Sequence, residues 1–289
     1  MNNKISKFFT PIIFMFFILF FWVFNDFNLI KSNHFSVNFF DMKLWDWIMI
    51  KTPENKIILI DGGVWDQMIS KISKKMWFFE RRIDYVFLTH WDADHISWLI
   101  SIMKKFEIWK IFLTKKEKNT YLFKEFIKIL DDKSIEYDFF SDLKNFSNEK
   151  NIFLDKSLFL KPIFPIWDDF EKMKKSKNFS LVFELIFKNS KWENKKFLFT
   201  WDIQKDIEEY LLNNNRIWKV DYLKIAHHWS KTSSVYDFIL KSNPDIWIIV
   251  AWKNNRFWHP HEEVVSRFEK LWVKILHTGK SWDVELKVF

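Results

Sequence analysis

The chain has no cysteine, and its 289 residues include only 3 glycines and 6 prolines. Without cysteine it can form no disulfide and offers no thiolate, so any metal site must be built from histidine and carboxylate side chains. Glycine ordinarily makes up about 7% of a protein, yet here 18 tryptophans outnumber it. This reversal of normal usage calls for an explanation separate from that of the fold.

Composition indicates a globular body. Apolar residues make up 48% of the chain and charged residues 28%. The length suits one domain of about 250 residues with a short appendage. The net charge of +8 favours a polyanionic partner. Because the lysines are scattered, low-GC codon bias explains the same charge. The net charge therefore gives only weak support for nucleic acid binding.

The N-terminus carries an apolar run at residues 8–24, interrupted only by Thr10 and Pro11 and preceded by two lysines. Its length lies at the low end for a membrane-spanning helix, and no small-residue cleavage site follows. We predict that residues 1–30 form an uncleaved signal anchor, one N-terminal membrane-spanning helix. The flanking lysines favour a single-pass protein of the cell membrane whose domain faces outward. A cleaved signal peptide and secretion are the alternative.

One short segment combines four potential metal ligands. His90, Asp92, Asp94 and His95 are spaced at i, i+2, i+4 and i+5 after an apolar strand pattern at 84–88, and a helical pattern follows them. A strand-to-helix turn can aim several side chains at one point, and imidazole with carboxylate suits zinc or a similar divalent ion. The alternative is a capped helix start with incidental histidines, but a cap needs only one Asp.

This loop resembles the H-x-[HD]-x-D-H signature of the metallo-β-lactamase superfamily. Further segments resemble one branch of it, the soluble hydrolase domain of the competence protein ComEC and its stand-alone relatives. Those segments are residues 40–46, 58–63, 199–202, 224–234 and 253–261. The resemblance extends over a hydrolase domain at 35–289 and implies an α/β (α+β) fold, an αββα sandwich.

Strand and helix patterns alternate through the body, and several strands lead directly into a motif, as expected when function sits at one edge of a sheet. Strands are predicted at 35–40, 46–51, 56–60, 84–88, 108–113, 158–164, 180–187, 196–200, 221–225, 245–250, 273–277 and 284–288. Helices are predicted at 66–76, 95–105, 120–131, 203–213, 234–241 and 261–271. Residues 140–156 are predicted to form a polar loop.

The resemblance implies a centre of one or two Zn²⁺ ions, with Mn²⁺ possible, in which Asp202 bridges. The implied ligands are His90, Asp92, Asp94, His95, Asp202 and His228. Many members of the superfamily have another histidine ligand between the loop and the bridging Asp. This chain has no histidine between His95 and His227, so the resemblance implies a weakly held second ion or a one-metal enzyme.

The resemblance also implies catalytic roles for Asp61, Asp94, His227 and His259. Asp61 is expected to steady the loop or the metal-bound water. His227 is a ligand, a general acid or a phosphate contact, and His259 is expected near the substrate. The segment 230–233 either donates to a phosphate or caps the next helix. His34 and His277 are best explained as structural histidines.

The implied function is a metal-dependent phosphodiesterase or nuclease that acts on DNA at the outer face of the membrane. Metal-bound hydroxide attacks phosphorus in this mechanism. The implied partners are the membrane, through residues 8–24, and a separate uptake channel protein. Alternatives are a phosphodiesterase acting on cell-envelope polymers and a non-catalytic, membrane-tethered binding module on a degenerate hydrolase fold.

Eight tryptophans stand where the family pattern usually has glycine: Trp45, Trp91, Trp98, Trp201, Trp229, Trp252, Trp258 and Trp282. Turns at a metal site need positive φ and close backbone approach, which glycine allows and a bulky residue resists. Our hypothesis is that most are glycines encoded by UGA, a codon that some bacterial lineages read as glycine and other codes read as tryptophan. Genuine tryptophan enrichment with codon bias is the alternative.

Overall fold

A computed structural model describes residues 11, 13–23, 34–41, 46–62, 67–76, 80–115, 120–142, 152–166, 169–173, 179–189, 193–250, 261, 264–266, 271, 273–281 and 283–288. The side chains of Gln67, Asp94, Phe170, Glu171, Trp229 and Ser281 lie outside the description. The described body contains two seven-stranded sheets.

The first sheet contains strands from both ends of the described domain. Its strands are β1 (Phe35–Phe39), β2 (Ile48–Lys51), β3 (Ile57–Ile60), β4 (Arg82–Leu88), β5 (Glu107–Leu113), β6 (Glu136–Phe139) and β14 (Val284–Val288). They lie in the order β14-β1-β2-β3-β4-β5-β6. β3 to β6 are parallel, whereas β1 pairs antiparallel with β2 and with β14. Parallel strands bring their carboxyl ends to a common edge.

The second sheet is similar in size and has its own parallel half. Its strands are β7 (Ile152–Phe153), β8 (Leu158–Phe164), β9 (Val182–Lys188), β10 (Asn194–Phe199), β11 (Tyr222–Lys224), β12 (Ile246–Ile249) and β13 (Lys274–His277). The order is β13-β12-β11-β10-β9-β8-β7. β10 to β13 are parallel, while β7 to β10 pair antiparallel.

Helices cover the outer faces of both sheets. Taking the described helical residues 13–23 as α1, the helices of the domain are α2 (Gln67–Lys75), α3 (Ala93–Lys105), α4 (Tyr121–Asp132), α5 (Asp169–Lys172), α6 (Lys205–Asn213), α7 (Tyr236–Ser242) and α8 (Thr278–Ser281). One apolar core lies between the first sheet and α2 to α4, and another between the second sheet and α6 and α7.

The third core lies between the two sheets and is rich in phenylalanine. Phe87 of the first sheet and Phe183 of the second lie with ring centroids 5.1 Å apart, and Phe39 stacks on Phe199 at 6.4 Å. Face-to-face packing through large aromatic side chains fixes the sheets against each other. The predicted mixed α/β fold with two sheets is confirmed, and its layers run helix, sheet, sheet, helix.

Most predicted elements are present, and their bounds differ from the predicted ones by at most two residues. β6, β7, α5 and α8 were not predicted, and β7 lies within the segment predicted as a polar loop. β6 is an edge strand whose first two residues are exposed, so it lacks the buried apolar run that marks the inner strands. Of the helix predicted at 261–271, the description includes residues 264–266 as helical.

The N-terminal helix α1 exposes every side chain from Ile13 to Val23, with exposed fractions between 46% and 69%. Among the described residues, none of the helices combines the length and the apolar character needed to cross a membrane. The rest of the predicted anchor lies outside the described residues.

Candidate metal centre

The loop after β4 is built around the buried carboxylate of Asp61. Asp61 follows β3, is fully buried, and accepts a hydrogen bond from the Thr89 backbone N–H at 2.7 Å. The Thr89 hydroxyl donates to its second oxygen. His95 Nδ1 lies 2.8 Å from that same oxygen, Oδ2. One carboxylate therefore ties the start of the loop to the first turn of α3.

His90 shares this buried site. Its ring centroid lies 3.8 Å from that of His95, and its Nδ1 lies 3.0 Å from the Thr89 hydroxyl. Because that hydroxyl gives its one hydrogen to Asp61, its oxygen is left to accept from His90 Nδ1–H. Burial, and then the neighbouring His95, lower the pKa of His90, so its imidazole is neutral at pH 7, the form that binds metal.

Asp92 lies at the N-terminus of α3, between the two histidines. Its Oδ2 is 3.8 Å from His90 Nε2, and its side chain is 47% exposed. Within the described part of the chain, its carboxylate makes no capping hydrogen bond to the helix. Asp92 thus occupies the N-cap position, as the alternative interpretation expected, but without a capping hydrogen bond from its side chain. Asp94 lies in the first turn of α3, and its side chain lies outside the description.

A second group of possible ligands lies after β10 and β11. Asp202 follows β10, and its Oδ1 is 3.9 Å from Nε2 of His228, which follows β11. On the other side of the ring, His228 Nδ1 donates to the Val250 carbonyl oxygen at 2.6 Å. Asp46 completes the group, with ligand atoms of Asp46, Asp202 and His228 within 4.8 Å of one another. Asp61, His90 and His95 form the corresponding first group.

Electrostatics link the two groups through Asp202. Burial alone raises the pKa of this carboxyl, but the imidazoles of His228, His227, His90 and His95 outweigh burial and hold the pKa well below its usual range. Imidazoles from both groups therefore act on one buried carboxylate. Such a carboxylate, held ionised in a buried site, matches the ligand chemistry of a divalent cation.

His227 and His228 adopt an unusual backbone. Their φ angles are 47° and 52°, within the left-handed region, which most residues avoid. The His227 backbone N–H donates to the Trp201 carbonyl at 2.7 Å, and the ring Nδ1 lies 3.5 Å from the Thr232 hydroxyl. Burial chiefly lowers the pKa of His227, so the ring is neutral at pH 7.

The segment after His228 is hydrogen-bonded to Glu208 of α6. This buried carboxylate accepts hydrogen bonds from the Ser234 and Val235 backbone N–H groups, both at 2.8 Å. The backbone N–H groups just before α7 are therefore already bound to the Glu208 carboxylate. Ser233 is also engaged internally, donating to the Ala226 carbonyl at 3.0 Å. Lys231 and Thr232 are exposed and remain the candidates for phosphate contact.

Three residues of the site had no role in the sequence analysis. Asp46 and Lys224 belong to motifs that were recognised, but nothing in their spacing indicated that they lie beside His228. Ser180 lies in the stretch where another histidine ligand was sought, and its hydroxyl is 3.4 Å from His90 Nδ1. His277, predicted to be structural, is buried at the end of β13. His259 lies outside the described residues.

Residues 46–129 match the family model of the metallo-β-lactamase superfamily. Over 91 residues the chain is 33% identical to ComE operon protein 3 of Bacillus subtilis (strain 168). The matched region makes up 32% of this chain and 12% of that protein. The chain therefore corresponds to a small part of that relative.

Two solved structures resemble the fold. Igni18, a metallo hydrolase from the archaeon Ignicoccus hospitalis KIN4/I, matches with a TM-score of 0.53 and 12% identity, over 88% of this chain and 100% of the other. A long form RNase Z from yeast matches with a TM-score of 0.53 and 13% identity, over 88% of this chain and 42% of the other. Likeness at such low identity establishes the fold alone.

Proposed function

Because this chain belongs to the metallo-β-lactamase superfamily, we propose that it is a metal-dependent phosphodiesterase that cleaves DNA at the outer face of a membrane. The family match and the two ligand groups support a metal-dependent hydrolase. The net charge of +8 and the RNase Z likeness support a nucleic acid substrate. The ComE relationship supports a link to DNA uptake.

The orientation of three imidazoles is the observation that carries the proposal. His90, His95 and His228 each have Nδ1 beside an oxygen acceptor, at 3.0, 2.8 and 2.6 Å. A histidine that donates through Nδ1 carries its lone pair on Nε2. In His90 and His228 the hydrogen-bond partners of Nδ1 thus leave Nε2 as the ligand nitrogen, and the buried ring of His95 lies against that of His90.

The residues that would hold the ion are those three histidines and Asp202, with Asp92 at the rim and Asp94 a further ligand by resemblance. When bound, Zn²⁺ or Mn²⁺ would polarise water and neutralise charge on a phosphate. The neighbouring imidazoles keep Asp202 ionised and burial keeps His90 neutral, so that neither side chain binds a competing proton at pH 7. Neutral His227 keeps one N–H, which can donate to a phosphate oxygen beside exposed Lys231.

The location rests on α1 and on the apolar segment around it. Residues 8–24 are almost wholly apolar, and the described part exposes its side chains. Such a continuous apolar surface is unfavourable in water. Insertion of this segment into a bilayer removes the cost of exposing its apolar side chains to water. In this proposal the hydrolase domain lies outside the cell, and a separate channel protein is its partner.

A cleavage assay tests the function. The full chain is loaded with Mn²⁺ or Zn²⁺ and offered labelled single-stranded DNA, double-stranded DNA, RNA and a poly(glycerol phosphate) polymer. We expect DNA cleavage that falls by at least about 100-fold in His228→Ala and Asp202→Asn, since each removes a metal ligand. His34→Ala, at a histidine outside the site, should leave the rate unchanged.

Other outcomes separate the alternatives. Cleavage of the glycerol phosphate polymer but not of DNA moves the substrate to the cell envelope. Metal binding without cleavage of any substrate leaves a binding module on a hydrolase fold. A wild-type protein that binds neither ion contradicts the proposed hydrolase altogether.

A further inference from the structure

A fully buried ion pair lies directly behind His228. Asp46 precedes β2 and is fully buried, and Lys224 is the last residue of β11 with 1% of its surface exposed. The Lys224 ammonium forms an ion pair with Asp46 Oδ2. It also lies 5.0 Å from the centre of the Trp201 ring. Buried charges of this kind are costly unless they are paired.

The Asp46 carboxylate of this pair lies close to the His228 ring. Asp46 Oδ1 lies 3.5 Å from His228 Nδ1, whereas His228 Nε2 lies 3.9 Å from Asp202 Oδ1. An oxygen of Asp46 and an oxygen of Asp202 also lie within 4.8 Å of each other. The Val250 carbonyl oxygen, at 2.6 Å, is the closer neighbour of Nδ1.

We infer that Asp46, with its charge balanced by Lys224, is a positioning residue that orients and polarises His228 as a ligand. The inference rests on the proposed function, because it presumes that His228 binds metal. A carboxylate behind a ligand imidazole fixes the ring and raises the basicity of its outer nitrogen. The Val250 carbonyl gives the direction of the Nδ1–H bond, and Asp46 supplies the negative charge.

The arrangement favours this role over direct ligation. Asp46 Oδ2 is engaged by the Lys224 ammonium group, and Oδ1 lies 3.5 Å from Nδ1, the ring nitrogen that already donates to Val250. The Lys224 ammonium offsets the cost of burying the Asp46 carboxylate at this point. Two motifs that lie far apart in the sequence thus converge on one histidine.

The pair can be removed without leaving an uncompensated charge. In the double variant Asp46→Asn/Lys224→Met, both charges are replaced by neutral side chains of similar size, which a buried pair commonly tolerates. We expect a melting temperature close to that of wild type in the metal-free protein. The dissociation constant for Mn²⁺ or Zn²⁺, measured by competition with a chromophoric chelator, should rise by about 10- to 100-fold. Lys224→Met alone should lower the melting temperature, because Asp46 is left without its partner.

A second ion pair with a fully buried aspartate provides the control. Arg216 binds Asp169 through two contacts, at 2.5 and 3.0 Å, and Asp169 also accepts from Tyr210. Asp169→Asn/Arg216→Met should alter the melting temperature and leave the metal dissociation constant unchanged. A purely structural role for Asp46 and Lys224 predicts this same behaviour for their double variant.

Three results overturn the inference. The first is an unchanged metal dissociation constant in the folded Asp46→Asn/Lys224→Met protein. The second is metal binding by Asp46→Asn alone that is as tight as in wild type, and it applies if the double variant does not fold. The third is a wild-type protein that binds neither ion, which overturns the proposed function as well. The wild-type titration thus separates the two failures.

Discussion

His95 Nδ1 lies 2.8 Å from Asp61 Oδ2, and this contact joins the end of β3 to the first turn of α3. Asp61 also accepts from the Thr89 backbone and hydroxyl, so one carboxylate organises the whole loop. Its own backbone has φ of 52°, an uncommon conformation for a residue with a side chain. The strain indicates that the position of this carboxylate is functionally important.

Replacing Asp61 by Asn should weaken both folding and metal binding. The amide NH₂ would face donors where the carboxylate now accepts, at a cost of about 1–3 kcal/mol in the free energy of unfolding. The metal dissociation constant should rise by about 10- to 100-fold. Chemical unfolding and chelator competition measure the two effects.

The matched control is Asp84→Asn. Asp84 is also a buried aspartate that accepts from a backbone N–H, that of Ile57 at 2.9 Å, but it lies near the start of β4. Its replacement should lower stability and spare metal affinity. Equal loss of affinity in both variants would contradict a specific role for Asp61.

Removing metal should lower the melting temperature of the wild-type protein. A ligand that binds only the folded state stabilises it by mass action, by about 2.7 kcal/mol at a hundredfold excess over the dissociation constant. Scanning calorimetry with and without a chelator measures the change. In His228→Ala the chelator should have a much smaller effect, and an identical shift in both proteins would show that the ion binds elsewhere.

Glu208 should make stability depend on pH. Burial raises the pKa of this carboxyl from 4.5 to about 7. The folded state therefore binds a proton more tightly than the unfolded state, so the stabilisation is complete below pH 4.5 and is lost as pH rises to about 7. The slope is at most about 1.4 kcal/mol per pH unit.

Glu208→Gln removes this titration. The free energy of unfolding should be measured in urea for both proteins between pH 4.5 and about 7. As pH rises through this range, wild type should lose stability relative to the variant. A pH-independent difference would show that Glu208 stays ionised, held by the Ser234 and Val235 N–H groups.

Trp201 is the described tryptophan whose backbone most favours glycine. Its φ is 44°, a left-handed conformation that glycine adopts without penalty. We propose that residue 201 is glycine in the native protein, and that codons 91, 201 and 229 are UGA. Sequencing the coding DNA and mass spectrometry of the native protein test this proposal, and UGG at these codons contradicts it.

Variant stability provides an independent test of position 201. The Trp201 ring is fully buried and stacks on Phe199, with centroids 5.8 Å apart. If tryptophan is native, Trp201→Gly leaves a cavity and costs about 3–5 kcal/mol. If glycine is native, the substitution raises the melting temperature.

The N-terminal segment should confer membrane binding. The protein with residues 1–289 is expected to float with phospholipid vesicles in a density gradient, whereas a variant lacking residues 1–33 should remain at the bottom, because residues 8–24 supply the apolar surface. Flotation of both proteins would place the lipid contact in the hydrolase domain instead.

The spacing from His90 to His95 was enough to predict a strand-to-helix turn that brings these two histidines together, because such a turn constrains neighbours in sequence. The strands of the two sheets were also evident, since their buried apolar runs carry a local signal. Contacts between distant segments carry no such signal. Nothing local to Asp46 or Lys224 indicated that they pair behind His228, and the edge strand β6 lacks the apolar pattern of its neighbours.

The antiparallel pairing of β1 with β14 places the first and last described strands side by side, from Phe35 opposite Val288 to Phe39 opposite Val284. During synthesis β1 emerges from the ribosome early, but its hydrogen bonds to β14 can form only after β14 has been made. Until then one edge of β1 stays open to pairing with other chains. The nascent domain thus depends on the synthesis of β14, or on a chaperone, to protect that edge.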